Sequence, residues 1–188
     1  MQQILESKTI SMQEVPHIRT ATHADIPLIQ HIARVTWPVT FADILTAEAI
    51  EHELNREYTT EALKQQMEDG QVFLLLEKND EVIAYCSYSD VTEPLERAST
   101  DLTLLPTLQA HKLYILPTYQ GQGYGHQMMN WIERYGYVNA RKSVYVMVNR
   151  QNKAKNFYEK QGYTVLAELD TTYGTVLRED YLMIKKLI

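Results

Sequence analysis

The chain has 188 residues, 45% of them hydrophobic, enough to bury one sizeable core and slightly short for two. Its net charge of −6 and sequence pI near 5.5 argue against a nucleic-acid partner, which would need clustered Lys and Arg to neutralise phosphates. One cysteine, Cys86, excludes an intrachain disulfide, and no apolar run approaches the ~20 residues that a bilayer requires.

These features, with the early charge at Glu6 and the absence of a secretory h-region, give the expectation of a soluble, cytoplasmic protein. Residues 1–14 show little pattern and read as an N-terminal arm, leaving 15–188 as one domain. "VPHIRTA" reads as a short strand leading to Thr22, an N-cap with Asp25 three positions on, and Ile26, Ile29, Ile32 and Ala33 then fall on one helical face. Pro38 predicts that this helix stops near Trp37, because a residue before proline is disfavoured in helical geometry. From Thr46 to Gly70 a second helical stretch should break near Thr59, where Thr59 or Thr60 can start a new turn.

"QVFLLLEK" and "EVIAYCSYSD" follow as strands around Asn79 and Asp80, a pair suited to a tight hairpin turn, with Cys86 as a small core residue. The polar segment Val91 to Pro106 reads as a surface loop, and Thr107 to Leu116 as a strand ended by Pro117. A helix with Met128, Trp131, Ile132 and Tyr135 on one face comes next, then the strand "KSVYVMV". The helix "NKAKNFYEKQG" closes on Gly162, and "YTVLAEL" and "DYLMIKKL" end the chain as an antiparallel pair.

Between strand and helix lies "LPTYQGQGYG", with Gly121, Gly123 and Gly125 on alternate positions. Two readings are open on spacing alone: a cradle in which main-chain N–H groups at a helix start meet a pyrophosphate, or a turn that merely needs positive φ. A P-loop is excluded because His126 and Gln127, not Lys and Ser or Thr, follow Gly125. A dinucleotide-binding turn would carry an acid about 20 residues on, and Val144 to Lys155 has none.

Taken together, "LYILPTYQGQGYG" and "VNRQNKAKNFYEKQGY" resemble the two signature motifs of the GNAT superfamily of acetyl-CoA-dependent N-acetyltransferases, the first as Gln120-x-x-Gly123-x-Gly125. The closing "YGTVLREDYLMIKKL" and the order of elements look like the bacterial spermidine/spermine N-acetyltransferases. The resemblance implies an α/β (α+β) fold with a mixed, largely antiparallel central sheet of about six to seven strands flanked by helices. It also implies acetyl-CoA as co-substrate with no metal, and direct attack by a primary amine, a polyamine or other small amine, in a ternary complex. A catalytically silent coenzyme A-binding module and an acetyltransferase for protein amines are the alternatives. The sheet's exposed edges leave room for a homodimer.

By that resemblance the loop, Gln120, Gly121, Gln122, Gly123, Tyr124, Gly125 and His126, grips the pyrophosphate of coenzyme A, and the backbone of Leu113, Tyr114 and Ile115 pairs with pantetheine. Tyr158 takes the position of the acid that protonates the leaving thiolate, while Tyr163 is assigned to the core. For the base, alternation sets Gln109, His111, Leu113 and Ile115 on one strand face, where the family commonly places a carboxylate. His111 is the candidate, with a structural histidine or a water chain as the alternatives, and Met147 holds the corresponding place on the next strand. Asn152, or else Gln151, caps the following helix and contacts pantetheine, and an N–H near Leu116 polarises the thioester. The acceptor channel should lie between "TWPVTFAD" and the last two strands, with Trp37, Phe41, Glu168, Asp170, Glu179 and Asp180 as lining candidates or as ordinary surface groups.

Overall fold

A computed structural model describes residues 15–92, 105–173 and 176–187. The expected arm, 1–14, and most of the expected loop between Val91 and Pro106 lie outside the described residues. The chain runs β1 (His17–Thr20), α1 (Ile26–Phe41), α2 (Ala47–Glu57), α3 (Thr60–Glu68), β2 (Val72–Lys78), β3 (Glu81–Val91), β4 (Thr107–Ile115), α4 (Tyr124–Val138), β5 (Ser143–Asn149), α5 (Ala154–Lys160), β6 (Thr164–Tyr173) and β7 (Val176–Lys186). Seven strands form one sheet in the order β1-β2-β3-β4-β5-β7-β6, antiparallel throughout except for β4 against β5. The expected mixed, largely antiparallel sheet flanked by helices is therefore present.

Local chemistry explains most boundaries. The Asp25 carboxylate accepts from the Thr22 N–H at 2.8 Å and the Thr22 hydroxyl at 3.0 Å, closing the turn that leads into α1. Arg19 donates to both Asp25 oxygens and holds that carboxyl well down, to about 2. Thr46 and Thr59 cap α2 and α3 by accepting from the N–H groups of Ala49 and Ala62, contacts worth about 1 kcal/mol each. Asn79 and Asp80 take φ values of 50° and 61°, the left-handed pair of a tight hairpin between β2 and β3.

The expected stop near Trp37 is corrected, since α1 continues through Pro38 to Phe41. Pro38 is exposed, so the carbonyl deprived of its helical partner faces water. On the other side, Trp37 packs on Phe41 at 4.6 Å and on Tyr58 at 5.7 Å between ring centroids, and its indole N–H donates to the Tyr58 hydroxyl. Those contacts outweigh the local preference of the residue before proline.

Both faces of the sheet are covered. Met128, Met129 and Ile132 of α4 pack on Leu74, Leu76, Cys86, Leu108, Val144 and Val146, while Ile26, Ile29 and Ile32 of α1, with Leu54 and Leu63, cover Phe73, Leu75 and Tyr85 on the opposite face. Each such aliphatic side chain contributes about 1.5–3 kcal/mol by burial. The double cover makes the central strands β2 and β3 read as near-continuous apolar runs. Among the described residues no helix is long and apolar enough to cross a membrane.

What positions the site is the parting of β4 from β5. They pair only from Thr107 with Ser143 to Ala110 with Val146, after which β5 continues along β7 to Asn149 opposite Asp180. Residues 112–115 of β4 keep β3 on one side and, among the described residues, have no strand on the other. The sheet thus opens into a wedge whose floor is main chain.

Candidate active site

The glycine loop crosses one end of this wedge. Gly121 and Gly123 adopt φ of 74° and 85°, and a Cβ built at either would meet nothing within 4 Å. Their need for glycine is conformational, because an L residue pays about 1–2 kcal/mol in the left-handed region. Gly123 is the N-cap of α4, and the first helical bond back to it is the Gln127 N–H to its carbonyl. The N–H groups of Tyr124, Gly125 and His126 therefore start a 15-residue helix with no partner from within it, at its positive end.

Gly125 differs from the other two. A Cβ there would sit 3.3 Å from Ile115 and from the Phe157 ring, so its missing side chain allows α4 to approach β4 and α5 and does not open a path for phosphate. The Gln120 and Gln122 side chains donate to the carbonyls of Ile115 and Thr118, pinning the loop to the strand end and to itself. Tyr124 is buried and its hydroxyl accepts from Lys78, which leaves its main chain as the part that faces a ligand. His126 is tied through Nδ1 to Gln161 at the far end of α5.

Strand β4 corrects the expected face. The register with β3 runs from Lys112 opposite Ser87 to Ala110 opposite Tyr88, so His111 is the extra residue of a β-bulge. Leu108 and Ala110, before the bulge, and Leu113 and Ile115, after it, all pack toward α4. Gln109, Lys112 and Tyr114 lie on the other face, where Gln109 accepts from the Tyr145 hydroxyl at 2.7 Å. Gln109 is therefore not aligned with Leu113 and Ile115. A single inserted residue reverses the alternation beyond it.

His111 itself opens into the wedge, with Nε2 at 2.7 Å from the Ser89 hydroxyl. Desolvation by the surrounding wall, and second the Lys112 charge, lower its imidazolium pKa to about 4, so the ring is neutral at pH 7. The Lys112 ammonium is itself brought down to about 8 by burial. The thioester donor expected near Leu116 is not Leu116 itself, whose N–H is donated to the Ile83 carbonyl at 2.9 Å.

Across the wedge, Tyr158 is half-buried on α5, packed edge-on against Phe157 and Tyr163 at 5.1 and 5.6 Å. Among the described residues nothing hydrogen-bonds its hydroxyl, and burial raises the phenol above its ordinary value, keeping it a proton donor. Asn152 lies in the same wall, and its Oδ1 accepts from the Ala154 N–H at 2.9 Å, capping α5. Gln151 is exposed and outside the wall.

Gln120 and Gly125 of the loop, the bulge and Tyr158 share one cleft of about 740 Å³ that also reaches Trp37, Phe41, Met147, Arg178 and Asp180, while Gly121, Gln122, Gly123, Tyr124 and His126 lie outside its wall. Glu168 and Asp170 do not line it. They flank Arg150 at 3.6 and 2.6 Å, with Glu179 at 3.7 Å on the same cation. Register accounts for this separation, since Ala167 pairs with Leu182 and Leu169 with Asp180 on the cleft face, which turns Glu168, Asp170 and Glu179 to the opposite one. Of the four acids expected there, Asp180 is the one that the fold brings into the cleft.

The arrangement fits a coenzyme A. N–H groups with no partner from within their helix suit its pyrophosphate, the edge of 112–115 that meets no described strand offers ladder partners to an extended amide chain, and Tyr158 lines the same cleft. Comparison with known proteins agrees. A family model described as acetyltransferase (GNAT) domain matches residues 69–165, more than half of the chain. The chain is similar to the PaiA N-acetyltransferase of Thermoplasma acidophilum in complex with coenzyme A, at 22% identity and a TM-score of 0.71, covering 92% of this chain and 99% of that one. It is similar to the ribosomal-protein-S18-alanine N-acetyltransferase of Escherichia coli at 16% identity and 0.66, covering 92% and 94%. It is similar also to YncA of Salmonella typhimurium with its cofactor acetyl-CoA, at 20% identity and 0.58, covering 93% and 95%. At these identities the likeness is one of fold. No curated protein matches the sequence.

Proposed function

Because the chain belongs to the acetyltransferase (GNAT) domain family, we propose that it acetylates a primary amine, a polyamine or other small amine, with acetyl-CoA as co-substrate. The observation that carries this reading is the meeting, in one cleft, of a Tyr158 hydroxyl that has no hydrogen-bond partner among the described residues with the bulged edge of β4 and Gly125 at the start of α4. When bound, acetyl-CoA supplies an acetyl group activated as a thioester.

The chain's own residues then have separable tasks. The Tyr124, Gly125 and His126 N–H groups hold pyrophosphate, the 113–115 main chain aligns pantetheine, and Asn152 fixes the start of the helix that carries Tyr158. Tyr158 donates a proton to the departing thiolate, whose pKa near ~8.5, by analogy with cysteine, makes it a modest leaving group. His111 accepts the amine's proton. That role requires the tautomer in which Nε2–H donates to Ser89, leaving Nδ1 with a lone pair. Trp37 and Phe41 provide aromatic faces for an alkylammonium chain at the far end of the cleft.

The direct test is release of free thiol from acetyl-CoA with and without a panel of amines headed by spermidine and spermine, with products identified by mass spectrometry. Amine-stimulated release and an acetylated amine are expected. Coenzyme A binding with no stimulation by any amine or exposed protein amine would instead describe a silent binding module.

A pH profile examines the base. A group that works when neutral and has a pKa of about 4 gives activity that rises with pH through about 4 and is then level through neutrality. His111→Ala is expected to lower kcat about 100-fold and to remove that acidic limb. An unchanged limb in the folded variant would place the base elsewhere.

A further inference from the structure

Resting on the amine-acetylating reading above, we propose that Asp180 is the anchor for the acceptor's ammonium group. Its side chain is 4% exposed, yet it lies in the wall of the open cleft. Oδ1 has no hydrogen-bond partner among the described residues, and Oδ2 is 3.6 Å from Arg178 Nη2, beyond hydrogen-bond length. Buried carboxylate oxygens are ordinarily met by at least one donor, because leaving them bare is costly. Here the pair with Arg178 steadies the charge from one side and leaves the other oxygen for a donor that arrives with a ligand.

The fold shows why this acid, alone of the four on the last two strands, reaches the cleft. Asp180 is opposite Asn149, at the last β5–β7 pair, where the wedge between β4 and β5 is widest. Its neighbour Glu179 points the other way and is spent on Arg150, as are Glu168 and Asp170. The other acids of the cleft, Glu53 and Glu57, are engaged by Arg56 at 2.5 and 3.1 Å. An alkylammonium, with up to three N–H donors and one positive charge, matches what Asp180 lacks, whereas a neutral or anionic acceptor head does not. Asp180 thus selects for a cationic amine and fixes that nitrogen, while the attacking nitrogen is a second, neutral amine of the same molecule, whose proton passes to His111 as the C–N bond forms.

The experiment compares wild type with Asp180→Asn, which keeps shape and removes charge, using acetyl-CoA and spermidine in steady state. The KM for spermidine is expected to rise about 10- to 100-fold, the range for loss of one charge-assisted hydrogen bond, while coenzyme A affinity measured by calorimetry stays within twofold. An unchanged spermidine KM, or a loss confined to kcat, would overturn the anchor. A second readout needs no substitution and no turnover: the 13C carboxyl resonance of Asp180 in the wild-type complex with coenzyme A should shift on addition of spermidine, and a resonance that stays put counts against the assignment. If wild type binds coenzyme A but acetylates none of the amines, the functional reading fails and this assignment falls with it. Turnover with an unmoved KM in Asp180→Asn removes this assignment alone.

Discussion

Tyr158→Phe is expected to lower kcat about 100-fold or more while leaving the affinity for acetyl-CoA within twofold. The substitution deletes one oxygen that no group in the described structure uses, so the ring contacts with Phe157 and Tyr163 survive and stability should change little. The loss should fall on the chemical step, because a general acid matters only as charge develops on the leaving sulfur. Proton donation of this kind is worth about 10²–10⁴ in rate.

Tyr158 is also suited to the task by its surroundings. Burial holds its phenol protonated well beyond neutral pH, so the acid form is the resident form wherever the enzyme works. In wild type the alkaline limb due to this group lies above pH 10, since activity requires the protonated phenol and is lost only as pH rises through its raised pKa. Measurement of kcat and of acetyl-CoA affinity on the same preparation separates the roles. Full turnover in the variant would end the assignment of Tyr158 as acid, and parallel losses in kcat and binding would make it a packing residue.

Much of the local structure around this candidate site is legible in the sequence because its signals are local. The alternating glycines, the asparagine at 152 and the Phe-Tyr pair before Gly162 are close in sequence and carry their own geometry, as do Asn79-Asp80 and the Thr59 cap. Non-local features were not legible. The β-bulge at His111 leaves no periodic trace, since an alternating pattern looks continuous until the partner strand's register reveals the inserted residue. The sequence points to a donor near Leu116, but the N–H of Leu116 itself goes to Ile83, in a segment that no local rule connects to it. Pro38 was given its usual power to end a helix, and burial of Trp37 against Tyr58 overrode it.

The acids of the last two strands show the same limit more sharply. Glu168, Asp170, Glu179 and Asp180 are equivalent by composition, and only the β6–β7 register divides them into three that surround Arg150 and one that enters the cleft. The irregularity between Val165 and Ala167 sets which side chains of β6 face inward. A reader of the sequence sees four carboxylates; the fold presents one to the cleft.

Gly123→Val should weaken coenzyme A binding at least about 100-fold while the chain still folds. The position has open space for a side chain, with nothing within 4 Å of a Cβ, so steric crowding of the protein is not the cause. The cause is φ of 85°, a conformation that costs an ordinary L residue about 1–2 kcal/mol and a β-branched one more. The variant relieves this strain by rotating the N-cap out of the left-handed region, which re-aims the N–H groups of Tyr124, Gly125 and His126 that begin α4. Each charge-assisted bond to phosphate is worth about 1.5–3 kcal/mol, so misdirecting two of them accounts for the expected loss. The helix itself survives, because Met128, Met129 and Ile132 remain buried in the core and the change is confined to the cap. Calorimetric titration with coenzyme A, beside a thermal unfolding curve, checks both halves, and Gly123→Ala should give a smaller loss in the same direction. Retained affinity in a folded Gly123→Val would show that the left-handed N-cap is not what aims the loop at pyrophosphate.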